Sequence, residues 1–367
     1  MRSILRTTHR YLSLTFGLLW LLQAASGVVL VFHGELDDAL LSGSDRPLAP
    51  AIFGATVTRL AAADTQARLD YVMASEGSGN RFDLLFTDQN DRTRVLRIDG
   101  EGTILRERPQ NYAYPAPGLF QIALDFHETL LAGDRGKWFL GLSGTLLLSN
   151  LLLGLKLAWP GRGQPWRRAL LPGFAGSFSA NVYKWHRALG LYLVLLAIVV
   201  VSCGVLQEWS PDGWLGVEAP IPTPHASAQT TLAPLGGALA AALARYPGAT
   251  LALVEMAGAE NPWYRIRLRQ RGELRRVFGT TTVFVDAHDG TVLLDRNAFE
   301  LPLNEKIANA IYPIHTGEFA GLGGRVIVFA IGLWLIAMAT LGASLWWTRR
   351  SARTAPKRLN PTPVVQR

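Results

Sequence analysis

Two short matches within the chain duplicate four of its seven histidines. His9-Arg10-Tyr11-Leu12 recurs as His186-Arg187-Ala188-Leu189, at an offset of 177 that also carries Gly27 onto Gly204. At an offset of 188, without a gap, His127 falls on His315, Gly136-Lys137 on Gly324-Arg325, Gly154 on Gly342 and Trp159 on Trp347. Imidazole is a common metal ligand. Two imidazoles related by a pseudo-twofold axis can approach one iron from opposite faces, the axial arrangement of a bis-histidine b-type haem. A haem plane between helices also needs small residues where it meets backbone. Gly27 follows His9 by eighteen residues, a whole number of helical turns, so both lie on one face. Gly204 stands in the same relation to His186, and the pairs Gly136/Gly154 and Gly324/Gly342 share the spacing. Such glycine rows equally serve tight helix packing with no cofactor.

The other histidines are single. His33 has no counterpart, since the first offset carries it onto Ser210. His225 falls in a Pro-rich loop and His288 in a hairpin turn, and both read as structural. At about 1.5 Å per helical residue, His9 and His33 are roughly 36 Å apart and cannot serve one metal. The pattern therefore asks for two haem b sites: His9/His186 on one side of a membrane and His127/His315 on the other, with His33 near the latter. Two haems so placed form an electron wire. A histidine at a membrane interface is also a common snorkelling polar group, and that reading stays open. Arg10, Arg187, Lys137 and Arg325, next to the histidines or on the adjoining helices, read as headgroup anchors or as partners of haem propionates.

The elements that would hold these groups are membrane helices. Of 367 residues 49% are hydrophobic and 17% charged, with eleven Trp, which suits a bilayer better than a single soluble core. Residues 11–32, 138–155, 188–207 and 326–348 are apolar over about the length a spanning helix needs. Trp138, Trp159, Trp346 and Trp347 stand near their ends, where amphipathic rings prefer the headgroup layer. The first segment is longer than a signal-peptide core and lacks a small-residue cleavage site, so it is expected to remain as a helix.

Charge orients the chain. The N-terminus, the middle loop and the C-terminal tail hold fifteen Lys and Arg and no Asp or Glu. The positive-inside rule then makes both termini and the middle loop cytoplasmic, at +15, and leaves the other two loops outside at −7. The high pI thus reflects topology and calls for no nucleic-acid partner. Cys203 is the only cysteine, so neither an internal disulfide nor a Cys-ligated cluster is available.

The expected fold class is an integral membrane α-helical protein. It has four transmembrane helices in two parallel repeats whose axis runs along the membrane normal, with two small α+β outer domains. The boundaries are helix one at 1–33, a first outer domain at 34–117 and an outer helix plus helix two at 118–160. A cytoplasmic loop at 161–187 leads to helix three at 188–208 and a second outer domain at 209–300. An outer helix plus helix four at 301–350 and a tail at 351–367 complete the chain. In the first outer domain a helix near 52–63 precedes strands near 69–74, 81–87 and 93–98. In the second, a helix at 232–245 precedes strands at 250–256, 263–270, 275–285 and 291–294, the last two joined by Asp286-Ala287-His288-Asp289-Gly290. Residues 42–50 and 211–234 read as tethers. There is no phosphate loop, no GxGxxG after a strand and no cytoplasmic domain for flavin or nicotinamide, so electrons must come from a membrane quinol or a separate donor.

The stretches THRYLSLTFGLLW, VLVFHGELDDAL, DFHETLLAGDRGKWFLGLSG, YKWHRALGLYLVLL, VFVDAHDGTVL and IHTGEFAGLGGRVIVFAIGLWL together resemble the PepSY-associated transmembrane helix family of Gram-negative inner-membrane proteins. Within it the likeness is to siderophore reductases of the ferrioxamine and pyochelin uptake type. The resemblance implies haem in the membrane part, PepSY-like periplasmic domains, and reduction of a ferric siderophore with release of Fe(II). It places His9, His186, His127 and His315 on the family's recurrent histidine positions; His33 stands where other members often carry Arg. Substrate is expected beside the outer pair, with His33 the candidate catalytic group. Two other classes are weighed against this: a sensor or inhibitor whose PepSY domains bind peptides or proteases, and a siderophore or metal permease. The permease is disfavoured because no buried charge sits midway along a helix and no broken pair of helices is evident.

Overall fold

A computed structural model describes residues 2–109, 118–171, 173–174, 176–209, 213, 215–217, 221–222, 234–258 and 261–354. Its first helix, α1, is Arg2–Leu30. Leu14, Leu18 and Leu22 are exposed on it while Trp20 and Ala24 are buried. That stripe recurs at helical spacing, as expected where one face meets lipid and the other meets protein. A short α2, His33–Ala39, follows, then α3, Pro50–Ala63. Past the first group of strands come α4, Leu119–Thr129, and α5, Gly133–Ala158. Next are α6, Trp166–Leu170, α7, Phe178–Tyr192, α8, Val194–Glu208, and α9, Leu235–Arg245. After the second group of strands, α10 is Leu303–Thr316 and α11 is Gly321–Thr354.

Three stretches, Arg2–Leu30, Gly133–Ala158 and Glu318–Ser351, are long and apolar enough to cross a membrane. A fourth is broken: α7 and α8 meet at a bend of 64°. A straight helix over 188–207 is therefore not what the chain forms. Leu193 leaves helical geometry, with φ −110° and ψ 2°, and the first turn of α8 starts again from its carbonyl, to which Ala197 donates at 2.8 Å. Hydropathy alone carries no signal for such a break, because apolar residues run on through it. The expectation of no broken helix, one of two arguments against a permease, is corrected here.

The described residues fall into two compact units, one drawn from within 1–24, 146–198 and 331–354, the other from within 25–145 and 199–330. In the first, Trp334 on α11 donates from Nε1 to the Leu189 carbonyl of α7 at 2.7 Å. Asn150 of α5 donates to Ser13 of α1 at 3.0 Å.

The second unit holds all the strands: β1 Ala67–Ala74, β2 Arg81–Asp88, β3 Thr93–Asp99, β4 Ile104–Pro109, β5 Thr250–Glu255, β6 Trp263–Arg269, β7 Thr281–Asp286 and β8 Val292–Arg296. They form one sheet in the order β4-β3-β2-β1-β5-β6-β7-β8. The outer segments expected as two separate domains are thus joined edge to edge, Val72 of β1 lying opposite Val254 of β5 in an antiparallel pair. Pairing removes the two exposed edges that separate sheets would present. Each half keeps the expected order, a helix and then strands. The stretch from 275 is a strand only from Thr281, and β4 is a further strand that the sequence reading lacked. Helices α3 and α9 cross so closely that a Cβ on Gly54 would strike the Gly236 backbone. Phe53, Val57, Leu235 and Leu239 share one core with Val72, Phe82, Leu84, Ile266 and Val283. The turn at 286–290 forms as expected, Gly290 having φ +75° and donating to the Asp286 carbonyl at 3.0 Å.

An ion network ties α2 to this sheet. Arg97 of β3 donates to Asp83 at 2.6 and 2.7 Å, to Asp37 at 2.8 Å and to Asp38 at 2.6 Å. Arg106 grips Asp37 with two nitrogens, at 2.9 and 2.6 Å. Asp38, Asp83 and Arg97 are buried. Farther along, Glu35 receives Arg325 of α11 at 2.5 and 2.7 Å and Arg276 at 2.9 Å. Its partial burial favours the neutral acid, but these guanidinium groups outweigh that and hold the carboxyl down at about 2.

Candidate metal centres

In the first unit, His9 on α1 and His186 on α7 face each other with ring centroids 6.5 Å apart and planes inclined by 54°. The Nδ1–H of His9 donates to the Asn150 carbonyl of α5 at 3.3 Å. Since a carbonyl only accepts, the proton stands on Nδ1 and the Nε2 lone pair is left available. His186 Nδ1 is buried and has no hydrogen-bond partner among the described residues. Each ring rests on a glycine of another helix. A Cβ built on Gly154 would stand 3.3 Å from His9 Cε1, and one on Gly342 would stand 3.4 Å from His186 Cε1.

In the second unit, His127 on α4 and His315 on α10 have centroids 6.2 Å apart and planes inclined by 35°. His315 donates from Nδ1 to the Val200 carbonyl of α8 at 2.9 Å, and loss of hydration keeps its imidazole below the usual histidine range. His127 Nδ1 lies 2.9 Å from the Ser26 hydroxyl of α1. The glycine seats recur, a Cβ on Gly27 falling 3.1 Å from His127 Cε1 and one on Gly204 falling 2.8 Å from His315 Cε1. The turns after these two helices also match. Leu130 and Leu131 after α4 have φ +51° and +60°, while Gly317 and Gly321 after α10 have +84° and +57°. Gly136 and Gly324 each pack against a carbonyl at the end of the preceding helix, Thr129 and Gly317 respectively, where a Cβ has no room.

The histidines are thus brought together in the expected pairs. With metal–imidazole bonds of about 2.0–2.1 Å, the zinc value, and a ring centre roughly 1.15 Å behind its nitrogen, two axial imidazoles put their centroids about 6.3–6.5 Å apart. Both pairs are within about 0.1 Å of that range. Among the described residues no group of three or more His, Cys, Asp or Glu could hold a metal by itself. Two protein ligands per site suit a metal whose remaining positions are filled by a macrocycle. Carbonyls on Nδ1 are the outer partners that orient metal-binding imidazoles. The histidine pairs therefore fit haem.

The glycine spacing, expected to serve a haem plane or tight helix packing, puts Gly27, Gly154, Gly204 and Gly342 against imidazoles carried by other helices. Gly27 shares a helix with His9 yet seats His127, and Gly154, on another helix, seats His9. Asn150, Val200 and Ser26 were not anticipated; two of them act through backbone carbonyls, which residue type does not encode. His33 keeps both ring nitrogens occupied, Nδ1 donating to the Leu30 carbonyl at 2.6 Å and Nε2 lying 3.2 Å from Glu76. Its ring meets Phe120 of α4. His288 sits in its turn, its backbone N–H on Asp286 at 2.8 Å, and His225 lies outside the described residues. Arg325 is committed to Glu35 and the Val31 carbonyl, and Arg187 donates to the Ala158 carbonyl at 3.0 Å.

One family model, described as the PepSY-associated TM region, matches residues 6–349. A search among curated proteins finds no match.

Proposed function

This chain belongs to the PepSY-associated transmembrane family, and from that premise we propose that it is a di-haem b inner-membrane reductase. It carries electrons across the membrane, reduces ferric siderophore in the periplasm and releases Fe(II). On this reading four spans form two parallel repeats, both termini are cytoplasmic, and the sheet is periplasmic. Haem, when bound, supplies a one-electron carrier at each level. His9 and His186 ligate at the cytoplasmic level, and His127 and His315 at the periplasmic level. Nδ1 partners fix the rings of His9, His127 and His315, and the glycine seats let each imidazole press against a neighbouring helix. The observation that carries this reading is the centroid separation, 6.5 Å in one pair and 6.2 Å in the other. Electrons enter from a membrane quinol or a separate donor protein. With both nitrogens of His33 engaged, its part is to hold Glu76 against the start of α2.

The permease reading gains the bent α7–α8 pair. It is still opposed by the absence of any charged residue over 188–207. A peptide-binding sensor would need no paired imidazoles at ligating distance. The test is anaerobic incubation of the reduced protein with a ferric hydroxamate siderophore, Fe(II) being trapped by a chromogenic chelator. Trapping well above the protein-free rate, lost in His127→Ala, supports the reading. A rate equal to the protein-free control overturns it.

A further inference from the structure

Residues 1–24, 146–198 and 331–367, from which the first unit is drawn, contain fifteen Lys and Arg and no Asp or Glu. Three of them, Arg168 on α6 and Lys184 and Arg187 on α7, converge on a cleft of ≈ 220 Å³ that also has Tyr183, Ala169 and Leu171 in its wall. A fourth, Arg349 of α11, stands over the Tyr183 ring at 5.5 Å. A cleft whose lining holds three cations and no carboxylate suits an anion.

The surroundings say which kind. Leu171, Phe174 and Phe178 are 66%, 79% and 70% exposed, and Trp159 and Trp166 pack edge to face at 5.0 Å while both remain exposed. Leu171 is in the cleft wall, Phe174 follows the lining Gly173, and Trp166 shares α6 with Arg168; exposed apolar and Trp side chains beside cations mark the boundary between headgroups and acyl chains. A free anion would need only the charges; an anion carrying acyl chains uses the apolar rim as well.

We propose that this cleft binds the phosphodiester headgroup of an anionic phospholipid, its chains lying on the rim formed by Leu171, Phe174 and Phe178. No histidine lines the cleft, and the proposal does not depend on the pairs binding haem. Native mass spectrometry of the full chain in detergent, titrated with phosphatidylglycerol, tests it, with phosphatidylcholine and inorganic phosphate as the other arms. One phosphatidylglycerol should be retained in preference to phosphatidylcholine. Arg168→Gln and Lys184→Gln should each weaken it about fivefold, as expected for one cation near an anionic surface. Lys184→Arg should keep the affinity, and Arg162→Gln, outside the cleft, should not change it. Lys184→Arg also shows that any loss in Lys184→Gln is not a folding failure. Equal retention of the two lipids, wild-type affinity in both Gln variants, or displacement by inorganic phosphate at lipid concentration would overturn the proposal. So would loss of haem from Arg168→Gln with lipid affinity unchanged, which would give the cleft to a haem propionate.

Discussion

The four glycine seats make a graded prediction. The room left for a Cβ rises from 2.8 Å at Gly204 to 3.1 Å at Gly27, 3.3 Å at Gly154 and 3.4 Å at Gly342. Ordinary carbon contacts begin near 3.5 Å. Alanine at 342 therefore fits almost as it stands, whereas alanine at 204 must push His315 back by about 0.7 Å. His315 cannot retreat freely, because the Val200 carbonyl holds its Nδ1 at 2.9 Å. A displacement of that size is several times the ±0.2 Å tolerance of a metal–ligand bond. Overpacking costs about 1–3 kcal/mol, while alanine for glycine inside a helix returns about 0.5–1 kcal/mol. Gly204→Ala should therefore lose one of two haems and melt lower. Gly342→Ala should keep both and melt unchanged or slightly higher, with Gly27→Ala and Gly154→Ala between. Haem per chain by pyridine haemochrome, alongside thermal unfolding, measures both. If Gly342→Ala loses as much haem as Gly204→Ala, the seats do not position the imidazoles as argued.

Pairing makes a second prediction: His9→Ala or His186→Ala removes one haem, and His127→Ala or His315→Ala removes the other. Loss of both haems from every variant refutes independent sites. Arg97→Met strands the buried Asp83 carboxylate and takes from Asp38 one of its two guanidinium partners and should cost about 3–5 kcal/mol in unfolding free energy; a loss under about 1 kcal/mol would show that the network is not what holds α2. Glu35, depressed to about 2 from an ordinary 4.5, stabilises the fold fully above pH 4.5. That contribution is lost as pH falls from 4.5 through 2, because the unfolded state then binds the proton first. With the side chain 38% exposed, solvent screening limits the term to about 1 kcal/mol. Glu35→Gln should flatten that part of the stability–pH curve, and an unchanged curve would assign the acid dependence to other carboxylates.

What the sequence made legible follows from what residue types encode. The duplicated His9/His186 and His127/His315 were readable because a ligand needs a particular side chain, and the structure brings those four into two pairs. The eighteen-residue glycine rows were readable as a period but not as contacts, since a period places residues on one helix face without naming the helix opposite. The carbonyls of Asn150 and Val200 had no signal, because every residue but for its geometry offers the same group. The bend at Leu193 was hidden inside a continuous apolar run. Joining of the two outer segments through β1 and β5 was also invisible, since edge pairing between Val72 and Val254 uses backbone that any strand presents. His33, singled out by its lack of a repeat partner, proved to be tied to Leu30 and Glu76.

The measurement closest to the central claim is the visible spectrum of the purified chain, produced with adequate haem supply, before and after dithionite. The account predicts a b-type spectrum that sharpens on reduction and two haems per chain. A colourless protein, or one that binds no haem on reconstitution, would contradict it.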